Sequence, residues 1–299
     1  MSIKETECRL QIGDVCCSLA FADTEYCASV REYYKGFLSE KEPELHIDVN
    51  IILHQEKIEL PNSILMSKTV DNNNFIFHSG LINGFLDIDN KYCSINVKNV
   101  LFTGKSVRIF EQFLCQVYYT LLKRNHPDIS DYSYIIHGCA VRRDCTSFLF
   151  SGPSGSGKST IAKLSSNYYV LNDELVNLTK LNGSYMIRST PFQGDHKGNG
   201  AISAPLNAIF LIKHGKKNKI RPIGKTEFVS RFVREVMYSQ TLLSVKSENI
   251  LLDMMGFCVD VAENVPFYEL QFLPDGSFWD SINEMNKSIV KEEATICCL

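Results

Sequence analysis

The feature that most constrains the fold is a glycine-rich octapeptide at residues 152–159, which reads Gly-Pro-Ser-Gly-Ser-Gly-Lys-Ser. It fills every fixed position of the phosphate-loop pattern G-x-x-x-x-G-K-[ST], in which glycines let backbone N–H groups point at phosphate oxygens. A short apolar run at 147–150 precedes it, and residues 160–164 can continue into a helix whose N-terminus favours anions. The sequence therefore predicts a strand, a phosphate loop and a helix, and with them a nucleotide as ligand.

The pattern assigns a role to each residue of this loop. Lys158 supplies a cation to the β- and γ-phosphates and is predicted to be catalytic, and the Ser159 hydroxyl reaches Mg²⁺. The predicted nucleotide contacts are Gly152, Ser154, Gly155, Ser156, Gly157, Lys158, Ser159 and Thr160. A chance glycine turn is the alternative, and the complete match with its strand and helix context disfavours it.

A pair of acids follows the next predicted strand, Tyr168–Leu171. Asp173 comes fifteen residues after Lys158, and Glu174 is directly beside it. A carboxylate at a strand end can take the proton of an attacking hydroxyl or bind Mg²⁺. We predict Asp173 as a catalytic residue and both acids as metal ligands. Which of the two is the base stays open, and a solvated acidic turn is the alternative.

His137 is the third candidate. It is predicted to end the strand that precedes the loop strand, and Gly138 follows it. A histidine in that place can orient or assist a carboxylate base, although a lone histidine is more often a satisfied core or surface residue. We predict His137 as a catalytic residue.

Composition excludes several classes of protein. A net charge of −3 argues against a nucleic-acid partner, which usually requires a basic excess. The eleven cysteines have irregular spacings that match no zinc framework, so we expect reduced thiols and a cytoplasmic protein. The N-terminus is polar, which predicts no signal peptide, and no apolar run approaches the roughly 20 residues that span a bilayer.

The chain divides into two predicted domains. Alternating apolar residues predict strands in residues 1–128, with one turn at Asn83-Gly84, another at Asp89-Asn90 and a helix at about Ser106–Lys123. The segment Asn125–Ser130 interrupts the pattern and is the expected boundary. Residues 129–299 form the second domain, which contains the loop and the acids.

Three segments in this order resemble the catalytic domain of the HPr kinase/phosphorylase family. They are Ile136-His137-Gly138, the phosphate loop, and Asp173-Glu174-x-Val176. Two more stretches, 190–195 and 265–275, are similar to HPr-kinase-like proteins of biosynthetic clusters. The resemblance covers about residues 133–285, and its specific part is 135–176.

The resemblance implies an α/β fold: a P-loop mixed-sheet kinase core of HPr kinase type, related to phosphoenolpyruvate carboxykinase. The alternating pattern of residues 1–128 predicts a strand-rich α+β N-terminal domain before this core, and that part does not resemble the N-terminal domain of HPr kinase. The resemblance also implies ATP, Mg²⁺ and phosphorylation of a serine hydroxyl, with Asp173 as general base. The chain departs from the family at Glu174, where the family has aspartate, and in lacking the glycine- and arginine-rich signature after the acids. These departures disfavour HPr itself as the acceptor.

The expected partner is therefore another hydroxyl-bearing acceptor, most simply a serine of a peptide or protein. A small-molecule kinase acting on free serine is one alternative, and a non-catalytic nucleotide-binding regulatory module is another. A carboxykinase lacks support, because no arginine constellation for its organic acid is visible. We expect no membrane association, and a homo-oligomer stays possible.

Overall fold

The structure, a computed structural model, describes residues 5–52, 66–69, 74–78, 81–98, 107–130, 132–192, 194–195, 200–241 and 250–285. These residues form a mixed α/β fold with two mixed sheets, six numbered α-helices and a further helical segment at 278–285. The chain divides into two compact units, residues 1–133 with 239–250 and residues 134–238 with 251–299. The boundary expected after residue 128 stays a prediction.

The first unit contains a seven-stranded sheet with the order β1-β2-β3-β7-β6-β5-β4. Its β2–β3 and β3–β7 pairs are parallel and the others are antiparallel. The strands are β1 (Glu7–Ile12), β2 (Val15–Phe21), β3 (Leu45–Ile52), β4 (Met66–Thr69), β5 (Asn74–His78), β6 (Ile82–Asp87) and β7 (Tyr92–Lys98). The helices are α1 (Thr24–Tyr33), α2 (Val107–Asn125) and the short α3 (Pro127–Ser130).

Helix α2 confirms the predicted amphipathic helix and packs on this sheet. Phe110, Phe113 and Leu114 are fully buried, and the Phe113 ring meets Phe77 of β5 edge to face at a centroid distance of 5.1 Å. The expected Ser106 cap lies outside the described residues. Helix α1 begins where Asp23 accepts hydrogen bonds from the Glu25 and Tyr26 amides, which satisfies two of the free N–H groups at the helix start.

One predicted turn is wrong. Asn83-Gly84 lies inside β6, where Gly84 pairs with Ile95 of β7. A Cβ atom at Gly84 would lie 2.2 Å from the Ser94 carbonyl oxygen, so glycine is needed here for close approach of two strands rather than for a turn. The other predicted turn, at Asp89-Asn90, is confirmed between β6 and β7.

The second unit contains a nine-stranded sheet with the order β13-β12-β11-β8-β9-β14-β16-β15, and β10 pairs with β8 outside this path. The central pairs β9–β14 and β14–β16 are parallel. The strands are β8 (Ser133–Arg143), β9 (Thr146–Ser151), β10 (Tyr169–Asn172), β11 (Leu175–Leu181), β12 (Ser184–Arg188), β13 (Ser203–Pro205), β14 (Ala208–His214), β15 (Lys219–Pro222) and β16 (Phe267–Phe272). The helices are α4 (Lys158–Leu164), α5 (Lys225–Thr241) and α6 (Ile250–Asn264), and residues 278–285 are also helical.

A buried apolar cluster supports the central strands of this sheet. Aromatic rings dominate it: Phe150 stacks on Phe210 at 5.5 Å, and Trp279 meets Phe150 edge to face at 5.7 Å. Ile161 and Ala162 of α4 belong to the same cluster. Because α4 directly follows the glycine-rich loop, this packing fixes the loop's helical end against the sheet.

The strand that carries His137 is longer than predicted. We expected it to end at His137, but β8 continues to Arg143. Gly138 does not stop the strand, because it is a site of close approach: a Cβ there would lie 2.6 Å from Leu149 Cδ1. His137 therefore lies in the strand interior, where the neighbouring strands hold its backbone.

The described cysteines number nine, and all are free thiols. Eight of them are buried, and burial raises the pKa of Cys8 and Cys258 to about 12. Thiols with such pKa values stay protonated and behave as small apolar side chains. Within the described part of the chain, no helix has both the length and the apolar character that a membrane span requires.

Candidate active site

The glycine-rich loop lies where it was predicted, between β9 and α4. Strand β9 ends at Ser151, and α4 begins at Lys158. Two of its glycines have positive φ, 79° at Gly155 and 106° at Gly157. A Cβ at Gly157 would also lie 2.4 Å from the Phe272 ring, so this position needs glycine for space as well as for backbone conformation.

Lys158 folds back over the loop. Its Nζ donates hydrogen bonds to the carbonyl oxygens of Gly152 at 2.6 Å and Pro153 at 3.1 Å. The side chain is buried, and burial lowers the pKa of Lys158 from its usual value of 10.5. The carboxylates of Glu235, Glu174 and Asp173 oppose this lowering of the pKa, because their negative charges favour the charged lysine.

The other predicted loop contacts differ in exposure. Ser154 and Gly155 are exposed, whereas Gly152 and Ser156 are buried and Gly157, Ser159 and Thr160 are half-buried. The Ser156 hydroxyl has no hydrogen-bond partner within the described chain. The loop is also supported by the end of the neighbouring strand β14. There, Nε2 of His214 contacts the Gly155 carbonyl oxygen at 3.1 Å.

Asn172 organises the acid pair. Its side-chain oxygen accepts hydrogen bonds from the amides of Glu174 at 2.8 Å and Leu175 at 3.3 Å. Its amide nitrogen donates to the carbonyl oxygens of Thr190 and Phe192, both at 3.0 Å. Asn172 is fully buried. It therefore fixes the turn that carries Asp173 and Glu174 and ties residues 190–192 to that turn.

Asp173 lies beneath the segment that Asn172 holds. It is fully buried, and its Oδ1 accepts a hydrogen bond from the Gly194 amide at 3.1 Å. A Cβ atom on Gly194 would lie 2.7 Å from that oxygen. The stretch 190–195, singled out in the sequence, therefore contacts the predicted base directly, and glycine at 194 lets the backbone approach the carboxylate. Glu174, the other acid, is half-buried.

The side chain of His137 is held by Glu235, a residue far along the chain. Its Nδ1 lies 2.8 Å from Oε2 of Glu235 on α5, and both side chains are buried. An ionised carboxylate can only accept, so the Nδ1 position carries the proton. Directly after His137, the Gly138 amide donates to the Glu174 carbonyl oxygen at 2.9 Å, which joins β8 to the acid turn.

Acids outnumber bases in this group. The charges of Asp173, Glu174 and Glu235 all act on Lys158, and His137 is hydrogen-bonded to Glu235. The described residues contain no cluster of three or more His, Cys, Asp or Glu side chains that could hold a metal alone. Mg²⁺ usually binds one or two carboxylates and takes its remaining ligands from substrate phosphates and water. The acid pair beside a phosphate loop fits that mode of binding.

Sequence reasoning missed Asn172, Gly194 and Glu235. Asn172 and Gly194 stand inside stretches that the sequence singled out, and the only signal for Asn172 was its position directly before the acid pair. Glu235 lies 98 residues from His137 on an amphipathic helix, where it resembles any helical glutamate. Only the packing of α5 against the sheet identifies it.

Comparison with known proteins gives one family match. The family described as SynChlorMet cassette protein ScmC matches residues 103–287, which is more than half of the chain. No curated protein matches the chain. A solved structure described as the Hpr(Ser) kinase/phosphatase from Coxiella burnetii is 10% identical and covers 54% of this chain and 97% of its own, with a TM-score of 0.30. That likeness is distant. By the family match over residues 103–287, the chain belongs to the ScmC family of SynChlorMet cassette proteins.

Proposed function

We propose that this protein is a kinase that uses ATP and Mg²⁺ to phosphorylate a hydroxyl group, most simply a serine of a peptide or protein. One observation carries the proposal: Gly138 pairs with Ser151, the residue directly before the phosphate loop, and its amide donates to the Glu174 carbonyl oxygen at 2.9 Å, which brings the loop and the acid turn to the same strand. The HPr-kinase-like order of motifs in the sequence supports the same reaction. The fold implied is a P-loop kinase core of HPr kinase type.

Each group in the site has its own role in the proposed in-line phosphoryl transfer. Lys158 and the loop amides bind the β- and γ-phosphates, and Ser159 with Glu174 would hold Mg²⁺, which would neutralise charge on the transferring group. Lys158 exchanges its present carbonyl partners, Gly152 and Pro153, for phosphate oxygens. Because both sets of partners are hydrogen-bond acceptors, this exchange keeps the buried ammonium satisfied.

Asp173 accepts the proton of the attacking hydroxyl. The Gly194 amide and the Asn172 clamp fix the carboxylate in one orientation, which is what a general base within hydrogen-bond reach of its substrate needs. The hydroxyl oxygen forms a bond to the γ-phosphorus, the bond to the bridging oxygen breaks, and ADP leaves.

His137 positions this assembly rather than transferring the phosphoryl group. Glu235 holds its ring by the Nδ1 hydrogen bond, and the adjacent Gly138 amide fixes the backbone of Glu174. A module that only bound nucleotide would have no need of a buried carboxylate clamped beside the loop. The free thiols support a reducing compartment, and a cytoplasmic location is part of this proposal.

The proposal is tested by incubating the protein with ATP and Mg²⁺ and candidate serine acceptors, and then measuring added phosphate by mass spectrometry. We expect Lys158→Ala to lose transfer while it stays folded, because the loop backbone can form without the side chain. Circular dichroism and thermal unfolding supply the folding control. Transfer that is unchanged in folded Lys158→Ala protein would exclude this loop as the donor site.

A further inference from the structure

A fully buried glutamate lies on the α5 side of the second sheet, outside the site described above. Glu269 of β16 accepts hydrogen bonds from Arg221 Nε at 2.7 Å and Arg231 Nη1 at 2.8 Å, and it forms an ion pair with Lys213 Nζ at 2.8 Å. Its side chain is 2% exposed, whereas the three cationic side chains are 30–46% exposed. Buried Glu269 therefore holds three cations whose other surfaces face solvent.

A fourth cation shares this face of the sheet. Lys219 and Lys213 both pair with Gln271, which lies two residues beyond Glu269 on β16. Residues paired across neighbouring strands share a face, and so do residues two apart in one strand. We name Lys213, Lys219, Arg221 and Arg231 the cationic face. Glu227, which pairs with both arginines, is the second acid in the group.

The cationic face lies beside the phosphate loop and the His137–Glu235 pair. Leu211 of β14 pairs with Ser151, the residue directly before the loop, so Lys213 is level with the first loop residues on the adjacent strand. Neighbouring strands are about 4.8 Å apart. Arg231 is one helical turn before Glu235 on α5, and residues at that spacing have Cβ atoms about 6 Å apart.

A purely structural ion-pair network accounts for only part of this arrangement. One buried carboxylate needs one well-placed cation, yet Glu269 has three, and the group as a whole has four cations for two acids. Arginines tied down by a buried acid lose little further conformational freedom on binding a ligand, and each guanidinium has five N–H donors. The chain as a whole has a net charge of −3, so the excess of positive charge on this face is opposite in sign to the net charge of the chain.

We propose that the cationic face binds an oxyanion of the acceptor, a carboxylate or phosphate close to the hydroxyl that is phosphorylated. The inference rests on the proposed kinase function and narrows its substrate to acidic acceptors. Free serine, whose own carboxylate is adjacent, and a serine beside an acidic residue in a peptide both satisfy it. A neutral acceptor does not.

The test distinguishes phosphate binding at the cationic face from phosphate binding at the loop. Inorganic phosphate is titrated calorimetrically into Lys158→Ala protein at constant ionic strength, where the loop has lost its cation. We expect phosphate binding to persist, and to weaken about tenfold when Lys219→Gln is added, because a charge-assisted contact is lost. Lys219→Gln leaves all three partners of Glu269 in place, so a merely structural network would not respond. Lys225→Gln is the control, since Lys225 forms an exposed pair with Glu263 at 3.4 Å.

A second arm identifies the source of the oxyanion in the wild-type protein. With ADP saturating, we expect serine to bind at least tenfold more tightly than serinamide if the carboxylate of a small acceptor is used. Aspartate-containing serine peptides should show the same preference over asparagine-containing ones if the acceptor is a peptide. The proposal is overturned if Lys158→Ala protein binds no phosphate, if Lys219→Gln has no effect, or if ADP displaces phosphate from the face. Failure of the wild-type protein to bind ATP would instead refute the kinase function.

Discussion

The imidazole of His137 and the carboxylate of Glu235 lie 2.8 Å apart in the interior of the second unit, although 98 residues separate them in the sequence. Strand β8 supplies the histidine and helix α5 the acid. The same carboxylate favours the charged form of Lys158. Glu235 therefore links the sheet, the covering helix and the phosphate loop through one side chain.

Removing this acid should destabilise the fold. Glu235→Ala leaves the Nδ1–H group of His137 buried without its acceptor, which costs about 1–3 kcal/mol. Glu235→Gln keeps an acceptor oxygen in place and should cost less. Urea unfolding measures both, with Glu263→Ala, an exposed acid on the neighbouring helix, expected within about 0.5 kcal/mol of wild type. Equal losses for Ala and Gln would contradict the hydrogen-bond assignment.

Gly194 should tolerate no side chain. The Cβ of Gly194→Ala would lie 2.7 Å from Oδ1 of Asp173, so the acid or its covering segment must move. Because small misplacements of catalytic groups are costly, we expect phosphoryl transfer to fall about tenfold or more. Gly256→Ala in α6 is the matched control. No atom lies within 4 Å of its added Cβ, and it should raise stability by about 0.5–1 kcal/mol. Comparable activity in the two variants would refute the contact.

Stability at acid pH should depend on Glu269. Burial alone would raise its pKa, but hydrogen bonds from Arg221, Lys213 and Arg231 outweigh it and lower the pKa from 4.5 to about 2. Between these values the unfolded chain binds more protons than the folded one, so stability falls as pH falls from about 4.5 to about 2. The contribution is fully present above that window. Unfolding free energies measured across it should fall less steeply for Glu269→Gln, and parallel curves would contradict the shift.

The parts of the fold that could be read from the sequence are those with strong local patterns. The apolar run at 147–150 forms the centre of β9, and the strand predicted at Tyr168–Leu171 is β10, shifted by one residue at each end. The β11–β12 hairpin was missed, although Asn182 and Gly183, both with positive φ, form the kind of turn that hairpins prefer. The strand at Leu175–Leu181 is mostly buried and lacks clear alternation, so its pattern gave little signal.

The residues of the candidate site also fall into those that a local sequence pattern identifies and those that it does not. The loop residues follow one another in the sequence, and so do the two acids. A spacing pattern can identify residues of this kind. The Asn172 clamp on Thr190 and Phe192 and the Glu235 partner of His137 are tertiary contacts, and no periodicity or spacing encodes them. At Gly84 a local signal is misleading. Asn-Gly is a strong turn signal, but the close packing of β6 against β7 at this position overrides it.

The central claim is that Asp173 takes the hydroxyl proton in a transfer from ATP bound with Mg²⁺. Asp173→Asn keeps the size of the side chain and an oxygen for the Gly194 amide, but it loses the proton acceptor. Glu174→Gln is the control, because a supporting acid should matter less than the base.

The most direct test measures ATP affinity and phosphoryl transfer for wild type, Asp173→Asn and Glu174→Gln over a series of Mg²⁺ concentrations. We predict that Asp173→Asn binds ATP normally while transfer falls roughly 10²-fold or more. If Asp173 is mainly a metal ligand, ATP binding and transfer should weaken together and excess Mg²⁺ should partly restore them. Full activity in Asp173→Asn would contradict both roles.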